Sequence, residues 1–355
     1  MKTKLVKITT ENLYTPEGKE QIAEGARLLK AGEVVAFPTE TVYGLGANGM
    51  EAEASGKIYA AKGRPSDNPL ILHIAELSQL DGIARDISEN AWKLMKEFWP
   101  GPMTIILNKK KEVPKETTGG LDTVAVRMPS HPVARELILQ AGVPIAAPSA
   151  NRSGRPSPTE AAHVMEDMEG KIPMIIDGGK VGIGIESTIV DMTGEKPVIL
   201  RPGFITPDMV DEVVSGVSID PAILGGPMAE GLKPKAPGMK YRHYAPAGDM
   251  WLVEGDNDKV VEKINDLTQK KQKEGYKVAV IGTEENISRY QADIIKCIGN
   301  RKNPESIAVN LYGTLREMDQ LGVQIIYGES FEEGDFYGAI RNRILKAAGY
   351  QVIKV

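Results

Sequence analysis

With 355 residues, 41% of them hydrophobic and 26% charged, the chain has the balance of a folded globular protein and the length of about two domains. Its net charge of −5, from 43 basic and 48 acidic residues, excludes a surface built throughout for nucleic acid. The single cysteine, Cys297, and four scattered histidines, His73, His131, His163 and His243, exclude a disulfide scaffold and a zinc finger.

The N-terminal stretch MKTKLVKITTENLY lacks the apolar centre of a secretory signal, and no run of about 18 apolar residues occurs, so a cytoplasmic chain is expected. Thr15 and Pro16 read as the cap and first position of a helix with Ile22, Ala26 and Leu29 on one face, stopped by Gly32. Apolar runs then read as buried strands: Val34 to Phe37, Leu70 to Ile74 and Met103 to Leu107, followed by VAVRM, PIAA, MIID, STIVDM and VIL. With helical patterns between several of them, these predict an α/β or α+β sheet domain with one continuous core over residues 1–207.

From 208 to 246 the texture changes to repeated Pro and Gly, densest in LGGPMAEGLKPKAPGMKYRHYAP. That is long for a plain connection and reads as a functional linker. Met228, Leu232, Met239, Tyr241 and Tyr244 give it side chains able to pack on a domain surface. From 247 to 355 strands MWLVE, KVAVIG, ADIIKCI, VQIIY and QVIKV alternate with helices marked by Val260, Ile264 and Leu267, by Ile307, Leu311, Leu315 and Met318, and by Ile340, Ile344 and Ala348. This predicts a small Rossmann-like parallel sheet, although Ile281-Gly282-Thr283 is not followed by the glycines of a dinucleotide fingerprint. Cys297, inside ADIIKCIG, reads as a core position.

Three loops of the first domain could carry chemistry. FPTETVYGLG, Phe37 to Gly46, sets Thr39, Thr41 and Tyr43 between a proline and two glycines, and a tight strand-to-helix turn explains it equally well. In KGRPSDNPL the cations Lys62 and Arg64, on either side of Gly63, read either as a solvated helix end answering the dipole or as a phosphate clamp stiffened by Pro65 and Pro69. APSANRSGRPSPT, Ala147 to Thr159, follows a strand end with Ser149, Asn151, Ser153 and Ser157 beside Arg152 and Arg155, against the alternative of a solvated turn. With Arg127 and Arg201, the three loops predict one anion-binding cavity. No Walker loop and no nucleophile elbow occurs, so positioning and charge stabilisation of a phosphoryl-type transfer fit better than a P-loop ATPase or a serine hydrolase.

The ordered set PTETVYGLG, Lys62/Arg64, Ser149/Asn151, ESTIVD and LRPG resembles the YrdC-like domain of the L-threonylcarbamoyladenylate synthases over roughly residues 15–207. HYAP, His243 to Pro246, with the Rossmann-like tail resembles the long, two-domain form of that family. The resemblance implies a twisted open α/β sheet domain with helices over 1–207, a lid-like linker over 208–246 and a smaller Rossmann-like parallel-sheet domain over 247–355. It implies a nucleotidyltransferase that joins L-threonine, bicarbonate or CO2 and ATP, the last carrying Mg2+, into threonylcarbamoyl-AMP and pyrophosphate. The product would serve threonylcarbamoyl modification of the adenosine beside the anticodon of tRNA, with tRNA or a tRNA-modifying complex as an implied partner.

Carried over by motif, Thr41, His73, Arg127, Ala147 and Ser187 would hold threonine, Arg127 forking onto its carboxylate. His73 fits a satisfied core histidine as well. Arg64, Asn68, Thr123, Ser149, Ser157, Arg201 and Tyr244 would hold ATP, with Tyr244 reaching back from the linker, and the catalytic set would be Lys62, Arg64, Ser149 and Asn151. No metal held by protein side chains is expected. Two other readings stay open: a non-catalytic module for double-stranded RNA or tRNA, and a carbamoyl transferase of the hydrogenase-maturation type, for which one cysteine is too few.

Overall fold

Thr15 caps the first helix by accepting a hydrogen bond from Gly18 N at 3.1 Å, with Pro16 at its first position. The computed structural model describes residues 1–224, 234–237, 243–331 and 335–355. The chain divides into two units: Met1–Ser153, Ser157–Gly182 and Glu186–Tyr241 in one, and Gly154–Pro156, Ile183–Ile185 and Arg242–Val355 in the other.

The first unit runs β1 (Lys4–Lys7), α1 (Pro16–Lys30), β2 (Val35–Phe37), β3 (Gly44–Asn48), α2 (Ala52–Lys62), β4 (Ile71–His73), β5 (Ala84–Arg85), α3 (Glu89–Phe98), β6 (Met103–Lys109), β7 (Thr123–Arg127), α4 (Pro132–Ala141) and β8 (Ile145–Ala146). It continues with α5 (Ala161–Met168), β9 (Met174–Asp177), β10 (Thr188–Asp191), β11 (Val198–Arg201), α6 (Pro207–Val213), β12 (Ser218–Ile219) and α7 (Pro221–Leu224). Its strands form one mixed sheet in the order β1-β9-β2-β3-β8-β4-β7-β6-β10-β11-β12, with β5 on β6.

The continuous apolar runs reflect strands covered on both faces. In β2, Val35 and Phe37 join a core with Ile22 and Leu29 of α1 and Leu137 of α4, whereas Ala36 points to the opposite core with Ile58 of α2 and Leu94 of α3. The start of the Pro/Gly-rich stretch is folded: α6, β12 and α7 lie within it, and Val210 and Val214 are buried in the larger core. Of the residues read as packing side chains there, Met228, Leu232, Met239 and Tyr241 lie outside the described residues.

The second unit contains β13 (Asp249–Glu254), α8 (Asn257–Lys273), β14 (Val278–Gly282), β15 (Ile294–Cys297), α9 (Pro304–Gln320), β16 (Ile325–Glu329), α10 (Asp335–Ala347) and β17 (Val352–Lys354). All pairs in its five-stranded sheet, ordered β15-β14-β16-β13-β17, are parallel. The Rossmann-like expectation for this segment therefore holds. The core position expected for Cys297 does not: the thiol is exposed, because β15 is the sheet's edge strand and its residues are only half covered. Among the described residues no helix is long and apolar enough to cross a membrane.

Candidate active site

FPTETVYGLG links strand to strand rather than strand to helix, since β2 and β3 pair antiparallel on either side of it. Gly46 is required by packing: a Cβ there would lie 2.6 Å from Phe37 Cε1 and 2.7 Å from Ile145 Cγ2. Tyr43, fully buried, gathers the surrounding loops. Its N–H donates to Pro158 O at 2.9 Å and its carbonyl accepts from Ala150 N at 2.8 Å. Its hydroxyl donates to Gly179 O at 2.7 Å and accepts from Gly178 N at 3.1 Å.

Lys62 is not a solvated helix end. It is 2% exposed, and its Nζ donates to Asn151 O at 2.6 Å, to Asn151 Oδ1 at 3.3 Å and, in a very short contact, to Ser149 O. Ser149 Oγ donates to Asn151 Oδ1 at 2.5 Å. Lys62 therefore places a positive charge behind the Ser149–Asn151 turn and fixes its shape. Arg64 lies half-buried over the following loop, its Nη2 donating to Pro69 O at 3.0 Å and its Nε to Asn68 O at 3.3 Å. Asn68 is buried, and its Oδ1 has no hydrogen-bond partner among the described residues.

Strand register builds the other half. Ile145 pairs with His73, His73 with Arg127, Arg127 with Thr104, Thr104 with Ile189 and Ile189 with Arg201. Registered neighbours share a face, so His73, Arg127, Thr104 and Arg201 come from four strands to one side of the sheet although 128 positions separate the first from the last. Ser187 ties the end of the row together. Its Oγ lies 2.7 Å from Thr104 Oγ1, and it receives Arg201 Nη2 on Oγ at 3.0 Å and Nε on its carbonyl at 2.9 Å. One residue earlier, Glu186 Oε1 accepts from Ser157 Oγ at 2.5 Å.

Arg127 Nη1 donates to Thr41 Oγ1 at 2.9 Å. Its Nη2 stands 2.7 Å from Glu40 Oε1, an ionic contact without hydrogen-bond alignment. That Nη2 and both Glu40 oxygens are buried without a hydrogen-bond partner among the described residues. Burial, the largest single effect, would raise the Glu40 pKa, but the Arg127 charge and the donors around the carboxylate together outweigh it and hold the group below its usual value, as a carboxylate. His73 Nδ1 lies 3.1 Å from Ile71 O, which assigns the proton to Nδ1 and leaves Nε2 unprotonated. Burial first, and the Arg127 charge second, lower its pKa to about 3, so the ring is neutral.

Thr123 stands at the other end of β7, four residues or about 13 Å from Arg127. The β4–β7 register, Ile71 opposite Ala125, puts Thr123 level with Pro69, beside the Arg64–Asn68 loop. Between the two ends lies an apolar floor of Ile71, Ile106, Ala125, Ile189 and Leu200, onto which Ala236 of the linker packs, fully buried. Ala147 is buried at the margin, its N–H donating to Ile71 O at 2.9 Å.

Of the residues given a binding or catalytic role in the sequence, all but one thus belong to the first unit. Tyr244 belongs to the second, at positive φ (65°), stacked on Tyr312 at 5.1 Å with Arg343 over its ring. Arg155 is also there, paired with Asp319 at 3.4 Å. Sequence reasoning passed over Glu40, Thr104 and Glu186. Glu40 had a signal, as the lone acid inside a hydroxyl-rich loop; Thr104 and Glu186 had none without the register.

Comparison with known proteins identifies the family. A family model for Sua5, YciO and YrdC proteins, described as "Telomere recombination", matches residues 27–203, and one described as "Threonylcarbamoyl-AMP synthase, C-terminal domain" matches residues 205–349. A Pyrococcus abyssi protein named threonylcarbamoyl-AMP synthase is 51% identical over 96% of both chains. A Bacillus subtilis protein of the same name is 48% identical over the whole of both. The crystal structure described as P. abyssi Sua5 complexed with L-threonine superposes with a TM-score of 0.92 at 48% identity, covering 99% of this chain and all of that one.

Proposed function

The chain belongs to the Sua5–YciO–YrdC family in its two-domain form, and from that premise we propose how its site makes threonylcarbamoyl-AMP from L-threonine, bicarbonate or CO2, and ATP. The activity is that of a nucleotidyltransferase-type enzyme, the name its relatives carry across their full length. That full-length agreement speaks against a non-catalytic RNA-binding module.

The observation that carries the mechanism is the row His73–Arg127–Thr104–Arg201 on the sheet face that also bears Thr123. A carboxylate, a carbamate and a triphosphate must share this face. At about 4 Å each pair of like charges costs roughly 4 kcal/mol at an effective dielectric near 20. Cations fixed beforehand remove that cost without reorganising during the reaction.

In this reading threonine sits at the Arg127 end. Its carboxylate takes the Nη2 hydrogen that Glu40 meets without alignment, and Thr41, His73 Nε2, Ala147 and Ser187 orient the rest. Glu40 stays ionised, so it positions rather than shuttles protons. The amine attacks CO2, forming the N–C bond and releasing a proton to water. A carbamate oxygen then attacks the α-phosphorus of ATP, forming the O–P bond as the bond to the β-phosphate oxygen breaks and pyrophosphate leaves.

ATP lies toward Thr123, Arg64 and Asn68, whose unpartnered Oδ1 accepts a hydrogen from the nucleoside. Ser149, Asn151 and Ser157 line the path of the phosphates, Arg201 neutralises the transferred group, and Lys62 supports the turn from behind. Mg2+ enters as part of the nucleotide, held by its phosphate oxygens, while the ammonium and guanidinium groups of the site pair with the phosphates. Ala236 packs on the apolar floor, and the linker it belongs to serves as the lid in this reading. The product is an activated acyl group, suited to transfer onto an adenosine amine of tRNA in the cytoplasm.

Pyrophosphate release from pure protein tests this reading. Release is expected only with threonine and bicarbonate both present; release that ignores either would overturn it.

A further inference from the structure

The second unit carries a cleft that this reaction does not use. In its sheet β13 and β16 are neighbours, yet the chain leaves them in opposite directions, from β13 through α8 toward β14 and from β16 through α10 toward β17. Right-handed crossovers then put α8 and α10 on opposite faces, which opens a crevice beyond the strand ends, the place where open α/β sheets bind ligands. A cleft of about 570 Å3 occupies that position, lined by Val253 and Glu254 at the end of β13, by Asn257 beyond it and by Arg301, Ser330 and Phe331 opposite, with Val260 and Glu285 completing it.

Two polar groups in its wall are unsatisfied. Ser330 is 9% exposed, and its Oγ has no hydrogen-bond partner among the described residues; the same holds for Arg301 Nε. Arg301 is nevertheless held in place. Its Nη2 donates to Glu329 Oε2 at 2.5 Å and to Ser330 O at 3.2 Å, and its guanidinium lies 5.2 Å from the Phe331 ring centre. Glu329 is in turn fixed by Thr283 N and Thr283 Oγ1, each at 3.0 Å, and by the Tyr290 hydroxyl at 2.9 Å. Leaving a buried donor unpaired costs about 1–3 kcal/mol, so a rigidly aimed, unpaired pair calls for an external acceptor.

The acceptor is not a phosphate. Asp256 already occupies the N-terminus of α8, accepting from Asp258 N at 3.2 Å and Lys259 N at 3.4 Å, and further carboxylates face the cleft. Glu285 accepts Arg301 N at 3.0 Å, while Glu254 meets Arg341 only at 3.3 and 3.4 Å, which leaves acceptor capacity for an ammonium group. Val253, Val260 and Phe331 supply an apolar wall. We propose that this cleft binds a free α-amino acid, its carboxylate on Arg301 Nε and Ser330 Oγ, its ammonium on Glu254 and Glu285, and its side chain against the valines and Phe331.

The test uses the full chain with labelled valine methyl groups, titrated separately with each protein amino acid, with adenosine and with inorganic phosphate. At least one amino acid is expected to shift Val253 and Val260 saturably. Ser330→Ala is expected to weaken that binding roughly threefold or more while threonine-dependent pyrophosphate release is unchanged. The proposal is overturned if no amino acid moves these methyls, if adenosine or phosphate moves them instead, or if Ser330→Ala binds as tightly as the parent.

Discussion

Lys62 and Arg64 stand two positions apart, yet their removal has different consequences. Lys62→Ala strips the ammonium from Ser149 O and both Asn151 oxygens, and should destabilise the protein by about 3 kcal/mol as well as abolish turnover. Arg64 is half-exposed and bonds two loop carbonyls, so Arg64→Ala should cost about 1 kcal/mol of stability but 100-fold or more in turnover. Urea unfolding beside the pyrophosphate assay separates the two; equal stability losses would contradict the assignment. His73 gives a pH signature. Its folded pKa of about 3 lies below the unfolded value near 6.5, so between those values the unfolded chain binds a proton that the native state refuses. Stability therefore falls as pH drops through that window, by about 2 kcal/mol at pH 5 from this group. His73→Gln should remove that share of the loss between pH 7 and pH 5, and an unchanged loss would show the ring is not the group responsible. The residue types of the site were legible in the motifs. Their partners were not, because Arg127 meets Thr41 across 86 positions and Lys62 meets Asn151 across 89.

At the scale of elements, periodicity read most strands and helices because both faces of the central strands are apolar. It misplaced what depends on neighbours. The PTETVYGLG segment looked ready to enter a helix because its glycines suit a turn, but they serve strand packing against Phe37. Cys297 sat in an apolar run that proved to be an edge strand. Gly46→Ala should cost about 1–3 kcal/mol, because Phe37 and Ile145 leave no room for the methyl group. Thermal unfolding reads this directly, and an unchanged midpoint would mean the β2–β3 packing is looser than described.

For the whole molecule, two domains were legible from length and texture, but the division does not follow the chain. Residues 154–156, between Asn151 and Ser157 in sequence, belong to the second unit. There the fully buried Arg316 donates to Pro156 O through Nε at 3.1 Å and Nη2 at 2.7 Å. Arg316→Met should therefore lower stability by about 1.5–3 kcal/mol and speed amide exchange at Gly154 and Arg155, far from the substitution in sequence. Unchanged exchange there would deny that Arg316 holds the 154–156 segment in place. No single-sequence pattern could reveal such an arrangement, since a tripeptide carries no periodicity.

The central claim is that one cation-lined sheet face joins threonine, a one-carbon unit and the α-phosphate of ATP. Mass analysis of the nucleotide formed from 13C-bicarbonate, L-threonine and ATP measures that joining directly. The account predicts one AMP-containing product carrying both the threonine mass and the 13C atom, lost in Arg127→Ala. A nucleotide product without the label, or one still formed by Arg127→Ala at the parent rate, would contradict it.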